Sequence, residues 1–385
     1  MTAAIYLPQI MRIGAGASAK LPEVLTQLSV AKPLLVTDAF MRDSGYVAAV
    51  VSNLSAAGVS CGVFADCVPD PTTDSIAAGM ASWHSGDYDC VVALGGGSSI
   101  DSAKAIAVLA LHGGTMRDYK VPNPVPRGVP IIAIPTTAGT GSEATRATII
   151  TDGDSQEKML CMGYGLMPVA AIVDYELTLS MPYRLTADTG IDSLCHAMEA
   201  YVSKKANPFT DSVALAAMTA ITSNIRQACN EPDNRVVREA MMLAATWGGM
   251  AFSNASVTLI HGMSRPIGAF YHVPHGMSNA MLMPAVTEFS LPGAPKRYAD
   301  CARAMGFASG SDSDTTAGAA LVVGLYQLNE DLSVPSPAAF GIDQEHYFAS
   351  LGTMAEQALA SGSPNNNPKI PTALEIEQLY RAVWT

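Results

Sequence analysis

The chain has 385 residues, 49% of them hydrophobic and only 15% charged, which describes a globular protein with room for two domains and excludes a disordered one. Its formal net charge of −12, without any cluster of Lys or Arg, argues against nucleic acid or an anionic membrane as partner. The N-terminal stretch lacks the basic start and apolar core of a signal peptide, and no apolar run approaches the ~18 residues that cross a bilayer. Seven cysteines, odd in number and without CxxC spacing, fit a reduced cytoplasmic compartment.

In chain order, the first half alternates short apolar runs with helical patterns. Leu34-Leu35-Val36 is a buried strand ending at Thr37-Asp38, followed by a helix over 46–54 and a strand at Gly62–Ala65. Pro69-Asp70-Pro71 turns the chain into a helix over 72–83. Cys90–Leu94 is the strongest strand and runs into Gly95-Gly96-Gly97-Ser98, after which 99–111 is helical. Pro130–Ile134 and Ala170–Asp174 complete the strands, so the pattern predicts a parallel, Rossmann-like sheet covered by helices on both faces. Beyond Leu179 the β-branched runs give way to Ala/Met/Leu stretches at helical spacing: 186–204, 209–229, 235–254, 256–270, 314–329, 343–360 and 372–384. With Pro182 as the boundary marker, an α/β domain over 1–178 and an all-helical domain over 179–385 are expected.

Gly95-Gly96-Gly97-Ser98 lies where a strand hands over to a helix, so a pyrophosphate can approach the bare backbone and meet the free N–H groups of the helix start. It is not a GxGxxG fingerprint, and tight turns without a ligand are the alternative. Pro135–Ser142 is a second Gly/Thr loop after the next strand, on the same sheet edge. Asp38 ends an earlier strand there, where its carboxylate either accepts from ribose hydroxyls or simply caps the following helix.

The second half carries Asp192 and His196, four residues apart on a helix read as opening near Gly190, so both side chains leave one face. His261 and His275 follow on the stretch Leu259–Pro284, and four of the seven histidines fall between 196 and 275. One carboxylate and three imidazoles suit a divalent ion such as Fe(II) or Zn(II). Cys195 points about 100° away from His196 and reads as packing.

VALGGGSSIDSAKAIA (92–107), IPTTAGTGSEAT (134–145), TGIDSLCHAMEAYVS (189–203) and HGMSRPIGAFYHVPHGMSNAMLMP (261–284) together resemble the iron-containing (group III) alcohol dehydrogenase family, in order along nearly the whole chain. The resemblance implies a nucleotide-binding N-domain, a helical metal-binding C-domain, a substrate meeting nicotinamide in the cleft between them, and a homodimer or larger assembly. It implies Asp192, His196, His261 and His275 as ligands of Fe(II), with Zn(II) as the other candidate. It places Gly95, Gly96, Gly97 and Ser98 on the pyrophosphate of NAD, with Asp101, Thr136, Thr137 and Ser142 lining the cofactor site and Asp38 favouring NAD over NADP. Family members usually carry a histidine four residues after the third ligand; here that place is Arg265, which should face the same cleft. His272, three residues before His275, is a candidate for taking the hydroxyl proton, with a surface or packing role as the alternative. The expected reaction is hydride transfer between NAD(H) and a small alcohol or aldehyde. The alternatives are an NAD-using metal-dependent lyase like dehydroquinate synthase, a dehydrogenase or transhydrogenase of hydroxy acids such as 4-hydroxybutyrate, and a non-enzymatic assembly subunit.

Overall fold

The computed structural model describes residues 2–155 and 157–385. Contacts divide the chain into an α/β unit, Ala4–Ser180, and a helical unit, Met181–Thr385, to which the residues before Ala4 also belong. The strands are β1 (Ile10–Ile13), β2 (Pro33–Val36), β3 (Gly62–Phe64), β4 (Cys90–Gly95), β5 (Ile131–Pro135), β6 (Ala147–Thr151), β7 (Lys158–Met162) and β8 (Ala170–Val173). Six of them form a parallel sheet in the order β1-β8-β5-β4-β2-β3, and β6 pairs antiparallel with β7. The helices of this unit are α1 (Leu21–Leu28), α2 (Ala39–Asp43), α3 (Tyr46–Ala56), α4 (Thr73–His84) and α5 (Gly97–His112).

Every residue of β2, β4, β5 and β8 is buried, because successive side chains enter two separate cores. Leu34, Val36, Val91, Ala93, Ile131 and Ala133 pack on one face with α5, while Leu35, Val92, Leu94, Ile132 and Ile134 pack on the other with α1 and α3. From β2 the chain moves outward to β3, whereas from β4 it moves the opposite way to β5. The carboxyl ends of β2 and β4 therefore flank the point where strand order reverses, the place where open α/β sheets bind ligands.

The sequence pattern omitted β1 and the hairpin. β1 is an edge strand, IMRI, whose Arg12 breaks the apolar run and which pairs with β8. The hairpin strands carry alternating burial, with Ile150, Met159 and Cys161 facing the core, and they cover α5.

The helical unit comprises α6 (Tyr183–Val202), α7 (Pro208–Asn230), α8 (Arg235–Ala255), α9 (Leu259–Tyr271), α10 (His275–Ser290), α11 (Pro295–Ala304), α12 (Asp314–Asp331), α13 (Pro337–Phe340), α14 (Gln344–Ala360) and α15 (Ala373–Ala382). α6 starts at Tyr183, three residues before the expected stretch 186–204 and two turns before the opening read near Gly190. Its first turn exposes Tyr183 and Leu185, so the inward apolar spacing becomes visible only later. From Thr186 to Val202 nearly every residue of α6 is buried, including Asp192 and Glu199. Three carboxylates on a buried helix, Asp188, Asp192 and Glu199, are costly unless paired; Asp188 has Arg184, and the other two mark where chemistry is to be sought. Among the described residues no helix is long and apolar enough to cross a membrane.

Candidate metal centre and nucleotide loops

α6, α9 and α10 bring the polar cluster together. Asp192 leaves the middle of α6, His261 the first turn of α9, and His275 the first position of α10. Gly276 makes the approach possible: a Cβ there would stand 2.2 Å from the Asp188 carbonyl oxygen and 3.3 Å from Asp192 Cβ. Ligand atoms of Asp192, His261 and His275 all lie within 4.8 Å of one another. Asp192 Oδ1 is 3.4 Å from His261 Nε2 and 3.6 Å from His275 Nε2. His196 is not in that trio, but its Nε2 lies 3.7 Å from the same oxygen, and its ring stacks between Phe252 and His261.

Two further residues complete the geometry, and neither was singled out in the sequence. Glu199, one helical turn beyond His196 on the same face of α6, is fully engaged by α9. Its Oε1 accepts from Thr258 Oγ1 (2.8 Å), Ile260 N (2.7 Å) and His261 N (3.4 Å), and its Oε2 bonds His261 Nδ1. Thr258 makes no side-chain cap for α9, so Glu199 caps that helix from across the core. Its bond to Nδ1 fixes the imidazole with Nε2 toward Asp192. Asn279, four residues after His275, places Nδ2 at 2.7 Å from Asp192 Oδ1, 3.2 Å from His261 Nε2 and 3.3 Å from His275 Nε2. Asp192 Oδ1 and two imidazole nitrogens thus converge on a single amide, while among the described residues Asn279 Oδ1 and His196 Nδ1 are buried without hydrogen-bond partners. A cation of the kind one carboxylate and several imidazoles bind would complete this arrangement.

The electrostatics agree. Burial acts to raise the Asp192 carboxyl, but His196, His275 and His261 outweigh it and hold it well below the usual carboxylate range. Burial pushes His196 down to about 4. For His261 burial opposes the charge, yet Glu199 and Asp192 lift it to about 9. A metal binding at Nε2 must displace that proton, so uptake is coupled to proton release.

His272 occupies the C-cap of α9 with φ 54°, exposed, and its ring forms no hydrogen bond or ion pair with the cluster. Arg265 lies on α9 four residues after His261 and is half-buried.

In the α/β unit the expected loops sit side by side. β4 and β5 run in register from Val91↔Ile131 to Gly95↔Pro135, and Thr136 N donates to Gly95 O at 3.0 Å. Gly95 has φ 152°, and a Cβ there would stand 2.4 Å from Ser99 Oγ, so the turn into α5 admits no side chain. Gly96 is the N-cap of α5, leaving the N–H groups of Gly97, Ser98 and Ser99 at an open helix start. Thr136 is buried and Thr137 half-buried beside them. Asp38 follows β2 on this edge and does cap α2: Oδ1 accepts from Met41 N at 2.9 Å, and Oδ2 faces Ser99 Oγ at 3.3 Å. A carboxylate oxygen keeps a second lone pair, so the cap does not exclude a ribose contact.

Asp101 and Ser142 are engaged within the protein. Asp101 accepts from Ser142 Oγ (2.8 Å) and Ile149 N (2.9 Å). The fully buried Lys104 donates to Ser142 Oγ, Thr145 Oγ1 and Ala147 O at 2.8–2.9 Å, with Asp101 at 3.9 Å. This network ties α5 to the second loop and the hairpin, and burial lowers Lys104 to about 8 against the pull of Asp101 and Glu143. Lys104→Met strands Asp101 and three acceptors, so a loss of about 3–5 kcal/mol in urea unfolding is expected; a loss under about 1 kcal/mol would show the network to be incidental.

Residues 8–175 match the iron-containing alcohol dehydrogenase family and residues 186–384 match its C-terminal part, the Fe-containing alcohol dehydrogenase family, C-terminal. The chain is 35% identical over 378 residues, 98% of each protein, to an NAD-dependent methanol dehydrogenase of Bacillus methanolicus. It is 35% identical over 385 residues, again 98% of each, to a 1,3-propanediol dehydrogenase of Citrobacter freundii. A solved structure of 1,3-propanediol oxidoreductase superposes with a TM-score of 0.95 at 33% identity, covering 100% of both chains. These relatives are dehydrogenases and not lyases, and the matches run over both units that carry the loops and the Asp/His cluster: the chain belongs to the iron-containing alcohol dehydrogenase family.

Proposed function

We propose that the protein is an NAD-dependent, Fe(II)-dependent dehydrogenase of small alcohols, with Asp192, His196, His261 and His275 as the metal ligands. The observation that carries this reading is the convergence of Asp192 Oδ1, His261 Nε2 and His275 Nε2 on one point. A divalent ion held there supplies a Lewis acid for the substrate oxygen. Zn(II) suits the same donors, and metal analysis decides between them.

The protein's own part is placement. Glu199 keeps His261 in one tautomer, Asn279 anchors Asp192 Oδ1, and both act before any substrate arrives. The open start of α5 at Gly95, Gly96, Gly97 and Ser98 offers backbone N–H groups to a pyrophosphate, with Thr136 and Thr137 alongside. Asp101 and Ser142 support that loop through Lys104. His272, exposed and three residues before His275, is the candidate for handing the hydroxyl proton to water.

An anaerobic screen of the Fe(II)-loaded protein tests the reading, with alcohols offered alongside NAD or NADP and NADH followed by absorbance. NADH accumulating from an alcohol supports it; a lyase would use NAD transiently and accumulate none. In the same assay Asp38→Gly is expected to raise the NADP/NAD ratio of kcat/KM about tenfold, roughly 1.4 kcal/mol, by relieving repulsion of the 2′-phosphate. The lost cap itself costs only a few tenths of a kcal/mol. An unchanged ratio would remove Asp38 from the site.

A further inference from the structure

Among the described residues Arg265 has no hydrogen-bond or ion-pair partner. His261 and Arg265 stand one turn apart on α9, so both side chains leave the same side of the helix. The guanidinium is half-buried, and burial draws it below its ordinary range with only the charge of Glu199 opposing. Yet among the described residues it forms no hydrogen bond, ion pair or ring contact. Glu199, the carboxylate whose charge reaches it, is committed elsewhere. Glu199 has both oxygens committed to Thr258, Ile260 and His261, and Asp192 Oδ1 is taken by Asn279 and faces the imidazoles.

Arg238 shows how this fold treats a buried guanidinium that is purely structural. It donates to Pro232 O, Thr186 Oγ1 and Met181 O. Arg265 receives no such treatment, and its planar fork of donors is left for something that comes and goes. Charge points the same way. A divalent ion and Arg265 together exceed the charges of Asp192 and Glu199 by one positive unit, which an anion would balance.

We propose that Arg265 binds the carboxylate of the substrate, so that the enzyme acts on hydroxy acids or the corresponding aldehyde acids. This rests on the dehydrogenase reading above. The hydroxyl would lie at the Asp/His cluster and the acid at Arg265. One helical turn is about 5.4 Å, a separation that a chain of three or four carbons spans.

Two variants test it: Arg265→Met, which keeps an apolar stem without charge, and Arg265→Lys, which keeps charge without the bidentate fork. Turnover of 4-hydroxybutyrate and 1-butanol is compared in both, together with calorimetric binding of butyrate to the Fe(II)-loaded protein and of NADH. Metal content is measured in each variant to confirm an intact site. In Arg265→Met the hydroxybutyrate/butanol ratio of kcat/KM is expected to fall about ten- to a hundredfold, and butyrate binding to weaken alongside it. Arg265→Lys should fall between. Equal losses on both substrates with weakened NADH would overturn the proposal by assigning Arg265 to a cofactor phosphate. Unchanged ratio and butyrate binding would overturn it by leaving the side chain to water. A wild-type protein that forms NADH from no alcohol of the screen would instead remove the dehydrogenase reading itself.

Discussion

Replacing His275 by alanine is expected to remove bound metal and turnover together. A Lewis acid contributes several kcal/mol to hydride transfer, so activity should fall by at least about a thousandfold. His275 is the informative choice because its side chain is 48% exposed and stands at the first turn of α10, where truncation leaves no core cavity. Unfolding of His275→Ala should therefore resemble that of the intact protein once both are stripped of metal. His261→Ala should lose metal equally and also stability, because it strands Glu199 inside the core, at a cost of about 3–5 kcal/mol. Full metal occupancy and turnover in His275→Ala would show that the cluster is a hydrogen-bonded core feature and no more.

Glu199→Gln is expected to weaken metal binding about ten- to a hundredfold although no ligand has changed. The reason lies in proton placement. Glu199 offers acceptors both to His261 Nδ1 and to the N–H groups opening α9. An amide has one acceptor oxygen to give. If its oxygen stays on Ile260 and Thr258, its NH2 faces Nδ1, and the imidazole proton must move to Nε2, the atom that would hold the metal. If the amide turns over, the helix start faces donors instead, at roughly 1–3 kcal/mol for each stranded group. Chelator competition reads the first outcome and urea unfolding the second. Metal affinity and stability both within error of the parent protein would show that Glu199 positions nothing.

The sheet was largely legible because β2, β4 and β5 are buried on both faces and so appear as unbroken apolar runs. Edge position hid β1, where Arg12 and partial exposure dilute the signal. α10 was hidden for the opposite reason: it is apolar nearly all round, holds Pro284, and follows Pro274, so no periodicity marks it. That gap had a consequence at the site. Asn279 is recognisable as a neighbour of His275 only once 275–279 is known to be one helical turn. Glu199 carried a local signal, since Asp192, His196 and Glu199 recur at helical spacing on one face. Its partner His261 lies 62 residues away, and no local pattern encodes such a pairing. The glycine loop and Asp38 were placed correctly on one sheet edge, whereas the buried Lys104 that claims Asp101 and Ser142 has nothing in its sequence neighbourhood, IDSAKAIA, to mark it as interior.

The most direct test of the metal-centred dehydrogenase is an anaerobic titration of metal-stripped protein with Fe(II), following bound iron and alcohol-dependent NADH formation in the same samples. Turnover that rises in proportion to bound iron and levels at one ion per chain is the expected result. Full turnover in the stripped protein, or iron that saturates the site while no alcohol yields NADH, would contradict it.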